Sequence, residues 1–170
     1  MKPNRFMLAL AALCFAAGGA SAQQTDGKSV APKTYKAYMV SDAHLDTQWN
    51  WDVQTTIREY IPRTLFQNLY LMERFPDYRF SFEGGVVYSW MKEYYPMHYE
   101  RMKTYIASGQ WHIAGASWDA NDPNMPSAES FFRNILLGQE FYKKEFGVRS
   151  PDIFLPDCFG FGYTLPTIAA

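Results

Sequence analysis

The chain has 170 residues, 48% of them apolar and 19% charged, with a formal net charge of −1. That balance excludes a protein that works by presenting a basic face to nucleic acid, and the length leaves room for one modest domain. Aromatic residues make up 18% of the chain; in an exported protein such rings can stack on sugars, but most of them belong in a core.

In chain order, Lys2 and Arg5 precede an unbroken apolar run over 6–17, and Ala20-Ser21-Ala22 follows as a small-x-small pattern. This predicts a secretory signal over 1–22, cleaved after Ala22, and export to the periplasm or the outside. The run is shorter than the ~20 apolar residues that span a bilayer, so no membrane attachment is expected after cleavage. Leu13 before Cys14 argues against a lipid anchor. Cleavage takes Lys2 and Arg5 and no acidic residue, moving the net charge from −1 to −3. It leaves Cys158 as the only cysteine, so no internal disulfide forms.

A polar lead-in over 23–34 gives way to a predicted strand over 35–40, which delivers His44 and Asp46 at its C-terminal end. A helix follows, with Pro62 suited to its first turn and Leu65, Leu69 and Met72 on one face. Pro76-Asp77 turns the chain into a strand over 78–82 that ends at Glu83-Gly84-Gly85. Helices are predicted over 86–95 and 97–108, the second stopped by Gly109. A third strand over 111–116 empties into a polar loop with Asp119, Asn121 and Asp122. Ser127 caps a long helix over 128–146, which Gly147 terminates. A fourth strand over 153–155 leads into Pro156-Asp157-Cys158-Phe159-Gly160, and 164–170 reads as the first turn of another helix, cut without a stop signal.

Strands alternating with helices predict an α/β fold with parallel β/α connections, incomplete and barrel-like, with 35–170 forming the N-terminal part of a truncated domain. In such folds reactive groups collect at the carboxyl ends of the strands. Every predicted strand here ends in a polar or acidic group, which points to one mouth where they converge.

His44 and Asp46, two apart at a strand end, project to the same side and can take adjacent positions on one divalent ion. The alternative is a surface or capping pair. Trp49 follows closely enough to floor a sugar site beside an ion. Asp157 sits before the turn-permitting Gly160 and Gly162. It reads equally as a helix cap or as a carboxylate kept ionised by a nearby cation, ready to attack an anomeric carbon.

Three segments carry a resemblance. Ala43-His44-Leu45-Asp46-Thr47-Gln48-Trp49 resembles the first metal motif of glycoside hydrolase family 38 α-mannosidases. Asn124-Met125-Pro126-Ser127-Ala128-Glu129-Ser130 is similar to that family's Asn-x-Pro-Ser-Gly-Glu-Ser segment, with Ala128 in place of the glycine. Leu155-Pro156-Asp157-Cys158-Phe159-Gly160 resembles its nucleophile motif, with Leu165-Pro166 at the familiar interval. The resemblance runs from about Lys36 to the end.

It implies that His44 and Asp46 are zinc ligands, and that Asp157 is both a third ligand and the nucleophile. Trp49 and Phe159 would line the mannose subsite, and the zinc would grip the sugar's 2- and 3-hydroxyls. The ligand types suit zinc but leave another divalent ion open. The substrate implied is an α-mannoside or a mannose-containing glycan, hydrolysed with retention. The family draws its acid/base and its last ligand, a histidine, from much further along the chain, so residues 1–170 alone should be inactive. His98 and His112 match no motif and read as structural. Glu83, Asp119 and Asp122 read as supporting or substrate-positioning groups, or as solvated loop carboxylates. The rival readings are a metal-dependent carbohydrate deacetylase, which usually adds a paired-histidine motif not seen here, and a non-catalytic glycan-binding module.

Overall fold

The computed structural model describes residues 34–169. The export signal expected over 1–22, and all but the last residue of the polar lead-in, lie outside the described residues. Tyr38–Ala170 forms one compact unit; residues 34–37 belong to the preceding one and carry no regular structure. No helix among the described residues is long and apolar enough to cross a membrane.

Three short strands, β1 (Ser41–Ala43), β2 (Phe80–Phe82) and β3 (Trp111–Ile113), pair in parallel in the order β1-β2-β3. Helices connect them, so the chain adopts the α/β class with parallel β/α connections that the residue pattern predicts. After β1 comes α1 (Val53–Thr55), a π-helical turn over Thr56–Tyr60 and then α2 (Ile61–Arg74). Between β2 and β3 lie α3 (Gly85–Tyr94) and α4 (Pro96–Ala107). Beyond β3 come α5 (Ala128–Phe146) and α6 (Leu165–Ala169).

Two expectations need correction, and a third holds with an addition. The first strand is not at 35–40 but at Ser41–Ala43. Its partner explains the shift: Tyr78 N–H is already given to Phe75 O in the turn before β2, so the ladder opens only with Ser41 N–H on Arg79 O at 3.1 Å. Tyr38, Met39 and Val40 are exposed. Pro62 stands in the first turn of α2, as its residue type predicts, although α2 continues an earlier helical stretch. The helical run begins at Val53, where Asp52 accepts the Thr55 N–H at 2.8 Å. Proline lacks an N–H and its ring crowds the carbonyl four residues back, and the wide π turn just before it takes up that crowding. The fourth strand, 153–155, does not form. Gly115, at φ +67°, ends the extended backbone after β3, and its N–H goes to the Asp152 carboxylate at 2.6 Å instead of to a strand carbonyl.

The core lies on one face of the sheet. Phe80 and Phe82 from β2 and Trp111 and Ile113 from β3 are buried there with Tyr88, Met91, Tyr99 and Tyr142. Ser81 and His112, the alternate positions, turn the other way, as the two-residue strand period requires. Each such large apolar side chain contributes ~1.5–3 kcal/mol by burial. The polar tips are satisfied in series: Trp111 Nε1–H donates to Tyr88 Oη at 2.8 Å, and Tyr88 donates to Phe82 O at 2.9 Å. Part of the high aromatic content is therefore core, but less than the expected majority: Trp49, Tyr70, Phe159 and Tyr163 are among the aromatic residues that stay exposed.

The long helix α5 ends as its residues dictate. Ser127 accepts the Ser130 N–H at 3.2 Å, and Gly147 closes the helix at φ +72°, donating to Lys143 O. Midway, Gly138 lies so near the loop after β3 that an added Cβ would meet Ala116 O at 2.2 Å. That approach lets Trp118 N–H reach Asn134 O at 2.9 Å and Tyr142 Oη reach Ser117 O at 3.0 Å.

Candidate metal and catalytic site

The parallel register builds the first half of the site. Ala43 stands opposite Phe82, so the next residues along, His44 and Glu83, leave adjacent strand ends side by side. His44 Nδ1 lies 2.7 Å from Glu83 Oε1. On the other edge of the ring, Nε2 lies 3.2 Å from Asp46 Oδ1. Glu83 is 6% exposed, whereas Asp46 is only half-buried.

Asp157 completes the cluster from the far end of the sequence. One ligand atom from each of His44, Asp46 and Asp157 lies within 4.8 Å of the others. Two donors about 2.1 Å from a tetrahedral zinc stand roughly 3.4 Å apart, so the 3.2 Å between His44 Nε2 and Asp46 Oδ1 suits a shared ion. One imidazole nitrogen with two carboxylates is also a donor set that zinc accepts.

Asp157 is held by interlocked loops. Asn124 Nδ2 donates to Gly160 O at 2.9 Å, and the Cys158 thiol reaches Asn121 O at 3.4 Å. Asn124 N–H itself rests on Asp122 Oδ1 at 2.7 Å. The Asn124 to Ser127 stretch thus ties the Asp157 loop at one end and caps α5 at the other. Sequence reading found the cap and missed the tie, since Asn124 and Gly160 meet only in the folded chain. The resulting cleft is lined by His44, Asp46, Glu83, the Ala120 to Pro123 loop and the Phe154 to Phe159 segment. Phe159 borders it and is almost fully exposed, as is Asp157 in large part. Trp49 does not border it; it stands exposed, edge-on to Trp51 at 6.1 Å.

The electrostatics follow from burial against charge. The hydrogen bond to Glu83 raises the pKa of His44, against a lowering by burial. Burial raises Glu83, against the lowering effect of His44. Both partners of the pair therefore retain protons longer than they would in water. Asp119 is pushed up by burial, while the Ala120 N–H and the Thr47 hydroxyl, at 3.3 Å from its carboxylate, oppose the rise. Burial also raises the Cys158 thiol, with Asp122, Glu83 and Asp157 adding to the rise, so it is not an activated nucleophile. His98 packs against Phe66 with ring centroids 4.2 Å apart, and His112 pairs with Asp152 at 3.1 Å. Neither borders the cleft.

Similarity to known proteins bears on this site. The sequence model described as "Glycosyl hydrolases family 38 N-terminal domain" matches residues 34–170. The chain is 37% identical over 133 residues to alpha-mannosidase G of Dictyostelium discoideum, covering 78% of this chain and 12% of that protein. It is 33% identical over 154 residues to human alpha-mannosidase 2C1, covering 91% of this chain and 15% of that one. Among solved structures, an alpha-mannosidase from Enterococcus faecalis superposes with a TM-score of 0.67 at 26% identity, over 76% of this chain and 15% of the other. The chain thus spans under a sixth of the length of each of these relatives.

Proposed function

The chain belongs to glycosyl hydrolase family 38, and from that premise we propose that the full-length protein is a retaining α-mannosidase acting on terminal α-mannosides of glycans. The observation that carries this reading is the convergence of His44, Asp46 and Asp157, from two distant stretches of chain, on one point at the mouth of a parallel sheet.

In this proposal a divalent ion, zinc by preference, is held by His44 Nε2 and the carboxylates of Asp46 and Asp157. When bound it supplies a Lewis acid that orients the sugar's hydroxyls. Asp157, exposed to the cleft, attacks the anomeric carbon as the glycosidic C–O bond breaks and the aglycone leaves with a proton from the general acid, forming the covalent glycosyl ester that water later opens. Its loop is fixed through Asn124 and Cys158, which reduces the ordering the reaction would otherwise require. Phe159, on the cleft wall, offers an apolar face to the ring. Trp49 is assigned to the same subsite by its motif, although it stands outside the cleft that the described residues line. The general acid/base and the last ligand come from elsewhere in the full-length protein, so residues 34–170 alone do not turn over. The charged, apolar and small-residue pattern of 1–22 makes export part of the proposal.

Proton NMR of the product at early times tests it: α-mannose must appear first. First appearance of the β-anomer rules out the double displacement at Asp157.

A further inference from the structure

We infer that Glu83 is a positioning residue that holds His44 in the one tautomer able to bind a metal through Nε2, and so sets the metal affinity of the site. The inference rests on the proposed ligand set. It adds a residue that lies outside that set and contributes no ligand atom to the cluster.

The geometry leaves the imidazole little choice. A neutral ring carries one N–H and one lone pair, and both nitrogens here face carboxylates. Glu83 is the nearer, at 2.7 Å, and it is buried; Asp46, at 3.2 Å, is half-exposed. A carboxylate accepts, and in a buried setting an unmade hydrogen bond is costly. The Nδ1 proton therefore goes to Glu83, and the Nε2 lone pair turns towards Asp46 and Asp157. Without Glu83, Nε2 can carry the proton and give it to Asp46, which blocks the nitrogen that the ion needs.

Glu83 is also built in rather than incidental. The register of β1 with β2 places it beside His44. Gly84, at φ +91°, turns the chain immediately after it. Gly115 of the β3 exit packs beside it, close enough that an added Cβ would make ordinary contact with Glu83 Oε2 at 3.5 Å. A residue that orients a metal-bound imidazole through its second nitrogen raises the metal affinity about 10–100-fold.

The test measures zinc affinity in the full-length protein by competition with a chelating dye, for wild type, Glu83→Gln and His44→Ala, with the melting temperature of each metal-free protein as the folding control. Gln has the same shape but can present either its oxygen or its NH₂ group to Nδ1. Glu83→Gln should weaken zinc binding by about tenfold or more, with the metal-free melting temperature unchanged. An affinity within twofold of wild type, while His44→Ala loses zinc, removes Glu83 from this role and leaves the ligand assignment standing. Wild type that binds no zinc takes down both. A crystal structure of the zinc-loaded wild type gives a check that needs no variant: His44 must ligate through Nε2 with Nδ1 on Glu83, and ligation through Nδ1 overturns the inference.

Discussion

Replacing Gly138 with alanine sets two rules against each other. In a solvent-facing helix interior, glycine to alanine stabilises by about 1 kcal/mol. Gly138, however, is buried against the loop after β3, and the added Cβ would lie 2.2 Å from Ala116 O, 2.4 Å from Ser117 C and 2.6 Å from Trp118 N. All three are backbone atoms, so no rotamer change relieves the clash. Ordinary contact begins at 3.4 Å, so α5 must retreat by about 1 Å, a strain that costs ~1–3 kcal/mol. The same retreat stretches the Trp118 N–H bond to Asn134 O from 2.9 Å and the Tyr142 Oη bond to Ser117 O from 3.0 Å. Each of these is worth about 1 kcal/mol. After subtracting the helix-propensity gain, the loss should be about 3 kcal/mol. Urea denaturation followed by tryptophan fluorescence reads it directly, with Gly147→Ala as the comparison. Gly147 has nothing within 4 Å of an added Cβ, so that variant should lose only the ~1–2 kcal/mol of a left-handed residue. A Gly138→Ala protein as stable as wild type, or more so, refutes the close-approach argument.

Tyr88→Phe should cost ~1–3 kcal/mol by the same denaturation measurement, because it strips the buried Trp111 Nε1–H of its acceptor and leaves Phe82 O with only the Ala114 N–H of its two donors. An unchanged midpoint would mean that water replaces the hydroxyl. Asp157→Asn should lower kcat on an aryl α-mannoside on the order of 10⁴-fold or more, since an amide cannot form the covalent ester. Near-wild-type turnover would take Asp157 out of the chemistry.

How far the fold shows in the residues depends on how local each signal is. Ser127 and Gly147 mark the two ends of α5 by side-chain and backbone chemistry that acts within one turn, and both ends fall where they predict. The alternation of Phe80, Ser81 and Phe82 and of Trp111, His112 and Ile113 marks the two strands that face the core. The first strand begins later than the apolar pattern suggests, because its extent depends on how much of β2 is free to pair. The apolar stretch at 153–155 looks like a strand, yet Gly115 and the Asp152 carboxylate together keep it out of the ladder. For the site, motif and strand-end position point to His44, Asp46 and Asp157. That Glu83 sits behind His44 is a matter of register between β1 and β2, which no local pattern carries. Nor does any local pattern say that Trp49 stands outside the cleft.

The attachment of the 150–157 segment has a thermodynamic consequence. Its hold on the sheet is the Asp152 carboxylate, on Gly115 N–H and against His112 of β3, and its hold on α5 is the Gln139 amide clasping Ser150. Point fastenings of this kind can be released one at a time, whereas a strand in a ladder gives up its bonds together. Two of the three converging side chains are thus anchored by β1, and the third arrives with a stretch held by separate fastenings, those at Gly160 and Cys158 included. Any ion spanning both parts would spend some of its binding free energy as a clamp. Saturating metal should therefore slow amide hydrogen exchange along 150–157 more than in β1.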